Sequence, residues 1–108
     1  MTGEICPVAE AAKLLGDKWT LILLRDLAEQ PRRFKELAQS GEGISPSMLA
    51  ARLRELEEQG IVARTSYNEI PPRVEYELTP KGRDALPVVE ALRVYGSRWL
   101  MPEGVEVG

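Results

Sequence analysis

Residues 34–60 read FKELAQSGEGISPSMLAARLRELEEQG, and their reading decides the fold. Phe34, Leu37 and Ala38 recur at helical spacing for about two turns, until the Gly41-Glu42-Gly43 segment ends the pattern. A second helix starts at once. Ser45 stands ready to cap it, Pro46 occupies its first position, and Ile44 is set to staple against Leu49. Leu49, Leu53 and Leu56 stack on one face, residues 55–59 are polar, and Gly60 supplies the C-terminal stop. Two helices, over 34–40 and 46–59, joined by a short glycine-containing turn form the pattern of a helix-turn-helix.

Downstream of that unit the period changes from helical to alternating. Residues 62–67 are rich in β-formers, and Val74, Tyr76 and Leu78 alternate with Arg73, Glu75 and Glu77. This pattern predicts two antiparallel strands spanning about 62–78, with a long, stiff tip between them because Pro71 and Pro72 cannot continue a ladder. A helix-turn-helix with such a hairpin behind it is a winged helix. Thr79-Pro80 repeats the start of cap then proline, and Pro87 divides the C-terminal region into two helices. Leu86, Val89, Leu92, Tyr95 and Trp99 trace an apolar stripe over 87–101. Little core is left for that stripe to cover in 108 residues, which assigns it to a partner chain rather than to the domain's own interior. The tail from 102 to 108 is expected to fray.

Upstream, a helix over 5–15 (6–15 at its narrowest) begins near Pro7, and Gly16 suits a left-handed C-terminal stop. Asp17 then caps a helix over 18–29, whose Trp19, Ile22, Leu23 and Leu27 form a broad apolar face. The whole chain, 1–108, therefore reads as one mainly α winged-helix domain with a small antiparallel hairpin and a helix at each end, the C-terminal one assigned to a partner chain.

Composition excludes most other classes. No histidine is present, and a single cysteine offers neither an internal disulfide nor a thiolate metal cluster, so no metal site and no cofactor is expected. Histidine-based catalysis is absent with it, and Glu57 and Glu58 diverge around their helix instead of converging on one substrate atom. No Gly-rich phosphate loop leads into a Lys-Ser/Thr pair. The longest apolar run, residues 21–24, is far below the ~20 residues of a membrane span, and the first residues lack the pattern of a secretory signal. A cytoplasmic protein without a membrane partner is the expectation.

Net charge is −3, yet residues 18–54 hold seven Lys or Arg against four acids, while residues 55–72 hold one against four. Basic charge thus collects on the helix-turn-helix, with Arg73 added at the wing, where a phosphate backbone would be met. At ~100° per residue, Ser47, Ala51 and Arg54 lie opposite the leucines, with Ala50 at the margin. Small side chains beside the Ser45-Pro46 start let a helix N-terminus approach base edges and phosphates closely. Arg54 is placed to contact a guanine or a phosphate; Arg52, on the flank, is read as a backbone or intramolecular partner. Arg32, Arg33 and Lys35 suit phosphate clamping, and Arg73 the minor groove or its phosphates. These residues form the expected site for double-stranded DNA. Two alternatives stand beside it: a winged-helix adaptor that binds protein without specific DNA recognition, and a small thiol enzyme using Cys6, which lacks any histidine or second cysteine. A ligand pocket lined by Trp19, Tyr95 and Trp99 competes with a role for those aromatics in a dimer core.

Cys6-Pro7-Val8, Gly16-Asp17-Lys18-Trp19-Thr20, Arg33-Phe34, Ile44-Ser45, Leu53-Arg54-Glu55-Leu56-Glu57, Pro71-Pro72-Arg73-Val74-Glu75-Tyr76 and Leu78-Thr79-Pro80-Lys81-Gly82, in this order and spacing, resemble the HxlR family of bacterial winged-helix transcriptional regulators. The resemblance implies a homodimer built from the terminal helices, helix 46–59 as recognition helix, Arg73 in the wing, and a pseudo-palindromic operator. It also implies that Cys6 stands where several members carry a thiol switch for oxidants and electrophiles. A helix N-terminus favours a thiolate there; the alternative is a small residue buried beneath the partner's terminal helix.

Overall fold

The computed structural model describes residues 4–40, 42–102 and 104, so Gly41 of the turn and most of the tail lie outside the described residues. Helix α1 (Pro7–Leu15) leads into α2 (Lys18–Leu27), α3 (Phe34–Ala38) and α4 (Pro46–Glu58). Strands β1 (Val62–Tyr67) and β2 (Arg73–Leu78) come next, then α5 (Pro80–Arg83) and α6 (Leu86–Trp99). The strands pair antiparallel, from Val62 opposite Leu78 to Tyr67 opposite Arg73. The fold is mainly helical with one two-stranded hairpin, as the sequence pattern predicts.

Local chemistry explains the helix ends. The Asp17 carboxylate accepts from the Thr20 amide at 3.1 Å and starts α2, and Ser45 Oγ accepts from the Met48 amide at 3.2 Å to start α4. At the far end of α4, Gly60 takes φ +75°, which closes the helix, while Lys81 Nζ donates to the Gln59 carbonyl at 2.7 Å. Gly16 behaves differently from the expectation. Its φ is −79°, not left-handed. A glycine suits the position because a Cβ there would lie 2.4 Å from the Ala12 carbonyl oxygen in the last turn of α1.

The core joins Leu23, Leu24 and Leu27 of α2 to Leu37 of α3 and Leu49, Leu53 and Leu56 of α4, closed by Ile61, Val62, Leu78 and Ala85. Each fully buried leucine contributes roughly 1.5–3 kcal/mol, so the leucine face of α4 is what seats that helix. Backbone hydrogen bonds add a second tie. Arg32 N donates to the Tyr76 carbonyl at 2.9 Å and Tyr76 N donates to the Arg32 carbonyl at 2.8 Å, so the segment before α3 is bonded to the wing.

The terminal helices stand apart from this core: neither α1 nor α6 contains a buried residue. The apolar stripe of α6 nevertheless divides in two. Leu86 and Val89, expected at a partner, pack half-buried against the chain's own core because the first turns of α6 lie across α2. Leu92, Tyr95 and Trp99 are exposed at 48%, 60% and 68%, joined by Val88, Val94, Leu100 and Met101. No helix is long and apolar enough to cross a membrane among the described residues.

Candidate nucleic-acid interface

Capping and packing together orient α4. With Leu49, Leu53 and Leu56 buried, Ser45, Pro46, Ser47, Met48 and Arg54 are left exposed, with Ala50 and Ala51 half-buried between the two faces. Ser45 Oγ and Ser47 Oγ lie 3.4 Å apart, and the helix N-terminus beside them carries the positive end of the dipole. Arg54 is exposed with no ion pair or hydrogen bond to its side chain among the described residues. The face therefore combines short side chains with one unneutralised cation.

Around it the basic residues fall into two groups. Arg33 and Lys35 are exposed at the start of α3, where the Arg33 amide donates to Glu36 Oε1 at 2.8 Å and leaves both cationic side chains in solvent. Arg25, Arg52, Arg32 and Arg73 are engaged internally. Arg25 pairs with Asp26 at 2.9 Å and Glu42 at 3.4 Å, and half-buried Arg32 donates from Nε to the Asp26 carbonyl at 3.3 Å. Arg73 departs most from the expectation of a wing contact. Its guanidinium pairs with Glu69 at 2.9 Å and Glu75 at 3.2 Å and stacks on the Tyr67 ring at 4.1 Å, which spends its charge within the hairpin.

Arg64 is the basic residue of the wing that sequence reading passed over. It lies opposite Tyr76 in the ladder and is exposed without an ion pair among the described residues. Alternation from Val62 assigns Arg64 to the apolar side, but cover over that side runs out along the strand, since Val62 is buried and Ser66 is exposed. A charge at an inward register position halfway along a hairpin was the available signal.

Arg52 takes the intramolecular role expected of it. Its Nε and Nη2 reach the two Asp17 carboxylate oxygens at 2.9 and 3.2 Å, and Nη1 reaches Glu55 at 3.3 Å. Burial works to raise the Asp17 carboxyl, but hydrogen bonds from Arg52 and the Thr20 amide, with the Arg52 charge, outweigh it and hold it below the usual carboxylate range. The pair is thus ionised throughout the neutral range.

Cys6 is exposed at the N-cap of α1. Of the three aromatics weighed between a ligand pocket and a dimer core, Trp19 packs on the chain's own core while Tyr95 and Trp99 face solvent. A groove of about 440 Å³ lies between α2 and α6, walled by Leu21, Ile22, Val89, Leu92 and Met101.

Comparison with known proteins agrees with this architecture. The sequence is 46% identical over 105 residues to sll1512, an uncharacterised HTH-type transcriptional regulator of Synechocystis sp., covering 97% of this chain and 78% of that one. Among solved structures, the redox regulator HypR in its oxidised form superposes with a TM-score of 0.84 at 37% identity, covering 90% of this chain and all of the other. Diamide-treated YodB from Bacillus subtilis gives 0.72 at 37% identity, covering 91% and 98%. The relatives are transcriptional regulators and not enzymes, and this chain is a transcriptional regulator with them. Residues 14–104 match the model of the HxlR-like helix-turn-helix, and the chain belongs to that family.

Proposed function

We propose that the protein is a homodimeric regulator that recognises a pseudo-palindromic DNA operator in the cytoplasm, the whole chain serving as one winged-helix domain. The observation that carries this reading is the exposed face of α4, where the small side chains near the Ser45-capped start line up with Arg54, which has no ion pair among the described residues. In this reading α4 enters the major groove, with Ser47, Ala50, Ala51 and Arg54 against base edges and Ser45 and Pro46 near the backbone. Arg33 and Lys35 clamp phosphates, with Arg32 behind them. At the wing, Arg64 supplies the cationic contact and Arg73 shapes the hairpin that presents it. The terminal helices pair with a second copy, which spaces two half-sites about 10 base pairs apart.

Selection of duplexes from a random-sequence pool, followed by fluorescence anisotropy across a salt series, tests the reading. An enriched sequence bound ~10³-fold or more tightly than a scramble supports it. Failure to enrich any sequence overturns it in favour of a protein-binding adaptor. Arg54→Ala is expected to reduce discrimination on the selected duplex by ~10- to 100-fold, the scale of one bidentate base contact, with an unchanged melting temperature. Arg64→Ala should flatten the salt dependence by about one unit of slope, as loss of one phosphate contact does. Arg73→Ala should leave that slope unchanged; a shift there equal to that of Arg64→Ala returns Arg73 to the interface.

A second reading concerns the control of that binding by small oxidants or electrophiles at Cys6. It is favoured by the exposure of the thiol at the head of α1 and by likeness to structures of an oxidised redox regulator and of diamide-treated YodB. With one cysteine per chain, oxidation by diamide joins two Cys6 thiols as an intermolecular disulfide, and the two electrons and two protons reduce the diazene to a hydrazine. Diamide is expected to change affinity for the selected duplex in the wild type, reversibly with thiol, and to leave Cys6→Ser unaffected. Equal responses from both proteins exclude the switch.

A further inference from the structure

We propose that Asp17 and Arg52 form a positioning joint that sets the pose of the recognition helix relative to the α1–α2 end of the molecule, and that Arg52 is not itself a phosphate contact. The proposal rests on the DNA-binding reading of α4. Asp17 and Arg52 are 35 residues apart in sequence, yet they meet as a two-point fork, Nε to Oδ2 at 2.9 Å and Nη2 to Oδ1 at 3.2 Å. The same carboxylate caps α2 through the amide of Thr20, whose hydroxyl also lies 3.4 Å from Oδ2. Thr20 is buried, at 4% exposure, so the capped turn is anchored in the interior.

Two helices therefore converge on one carboxylate. Gly16 ends α1 directly before Asp17, and a Cβ there would lie 2.4 Å from the Ala12 carbonyl oxygen of the same helix. The first turn of α2 is capped by Asp17, and the middle of α4 is held through Arg52. The leucines of α2 and α4 meet in the core, but toward α1 the packing opens. Between the end of α1 and the C-terminal half of α4 lies a cavity of about 160 Å³, lined by Lys13, Leu14, Thr20, Glu55, Leu56 and Gln59 among others. Leucines seated in the core allow a helix to slide or roll slightly, whereas a planar guanidinium bonded at two points to a carboxylate fixes orientation. Two residues further along α4 stands Arg54, so a small roll at Arg52 displaces the side chain assigned to base contact. The Asp17 carboxylate and Glu55 occupy three guanidinium nitrogens of Arg52, which leaves the group neutralised at the flank of the helix.

Asp17→Asn, Arg52→Gln and the double variant separate this role from simple stability. Asparagine caps a helix as well as aspartate, so Asp17→Asn keeps α2 while removing the charged fork. On the duplex selected by the wild type, each single variant is expected to lose about tenfold or more in discrimination against a scramble, the scale of one misplaced base contact. The salt slope should stay unchanged, and the double variant should be no worse than either single one, within about twofold. Arg52→Gln weakening all duplexes alike with a flatter salt slope, or Asp17→Asn retaining full discrimination, overturns the proposal. A measurement without DNA keeps it distinct from the functional reading. Spin labels at Lys13→Cys and Ser47→Cys in a Cys6→Ser chain, diluted with unlabelled protein, report the α1-to-α4 distance by pulsed electron paramagnetic resonance. Asp17→Asn should broaden that distribution; an unchanged distribution refutes the joint even if the wild type selects no sequence.

Discussion

Replacing Leu92 and Trp99 together by glutamate is expected to convert the protein to monomers and to weaken binding of a duplex with two half-sites by ~10²- to 10⁴-fold, since the second half-site then no longer binds intramolecularly. Both side chains are largely exposed in the single chain, so the substitution removes little packing from the chain's own core. In a dimer, by contrast, it places carboxylates in an apolar seam where their desolvation is uncompensated. Sedimentation velocity and anisotropy on one- and two-half-site duplexes distinguish the effects. Binding to a single half-site should change little. A variant that stays dimeric moves the interface off the outer face of α6.

Leu49→Ala carries the largest expected loss of stability, about 2–5 kcal/mol, combining lost transfer energy with the cavity left behind. Leu49 is completely buried in the first turns of α4, within a core shared by α2, α3 and the base of the wing. For a chain of 108 residues that corresponds to a melting temperature lower by ~10–20 °C at fixed protein concentration. Leu49→Met, which nearly conserves volume, should lose less than about 1.5 kcal/mol. If Leu49→Ala melts within a few degrees of the wild type, the leucine face does not seat α4 as described.

Those contrasting expectations reflect what each kind of residue reveals before a structure is known. The start of α4 is legible because Ser45, Pro46 and Gly60 act on neighbours within a few residues, and their chemistry is the same in any fold. The hairpin is legible for the same reason, from alternation interrupted by Pro71 and Pro72. The fate of the arginines is not. A positive charge in a sequence carries no mark of which carboxylate will reach it: Arg52 finds Asp17, 35 residues away, where α4 meets the start of α2, and Arg73 finds Glu69 and Glu75 only because the hairpin tip and its own strand fold them alongside it. Arg64 was hidden by the opposite error, an alternation that continues past the point where the core stops covering the sheet. Leu86 and Val89 share a helical stripe with Trp99, and only the crossing of α6 over α2 decides where the stripe leaves the interior.

The paired backbone bonds between Arg32 and Tyr76 have a mechanical meaning. They join the second strand of the wing and the segment leading into α3 in one hydrogen-bonded frame, like the hinge block of a calliper. In the proposed DNA-bound state, mismatch between this frame and the local groove widths falls in part on the nucleic acid, and bending a 20–30 base-pair site costs on the order of 1–6 kcal/mol depending on its stiffness. Operators would then be graded by how readily they deform as well as by the bases they display, including at positions that no side chain touches.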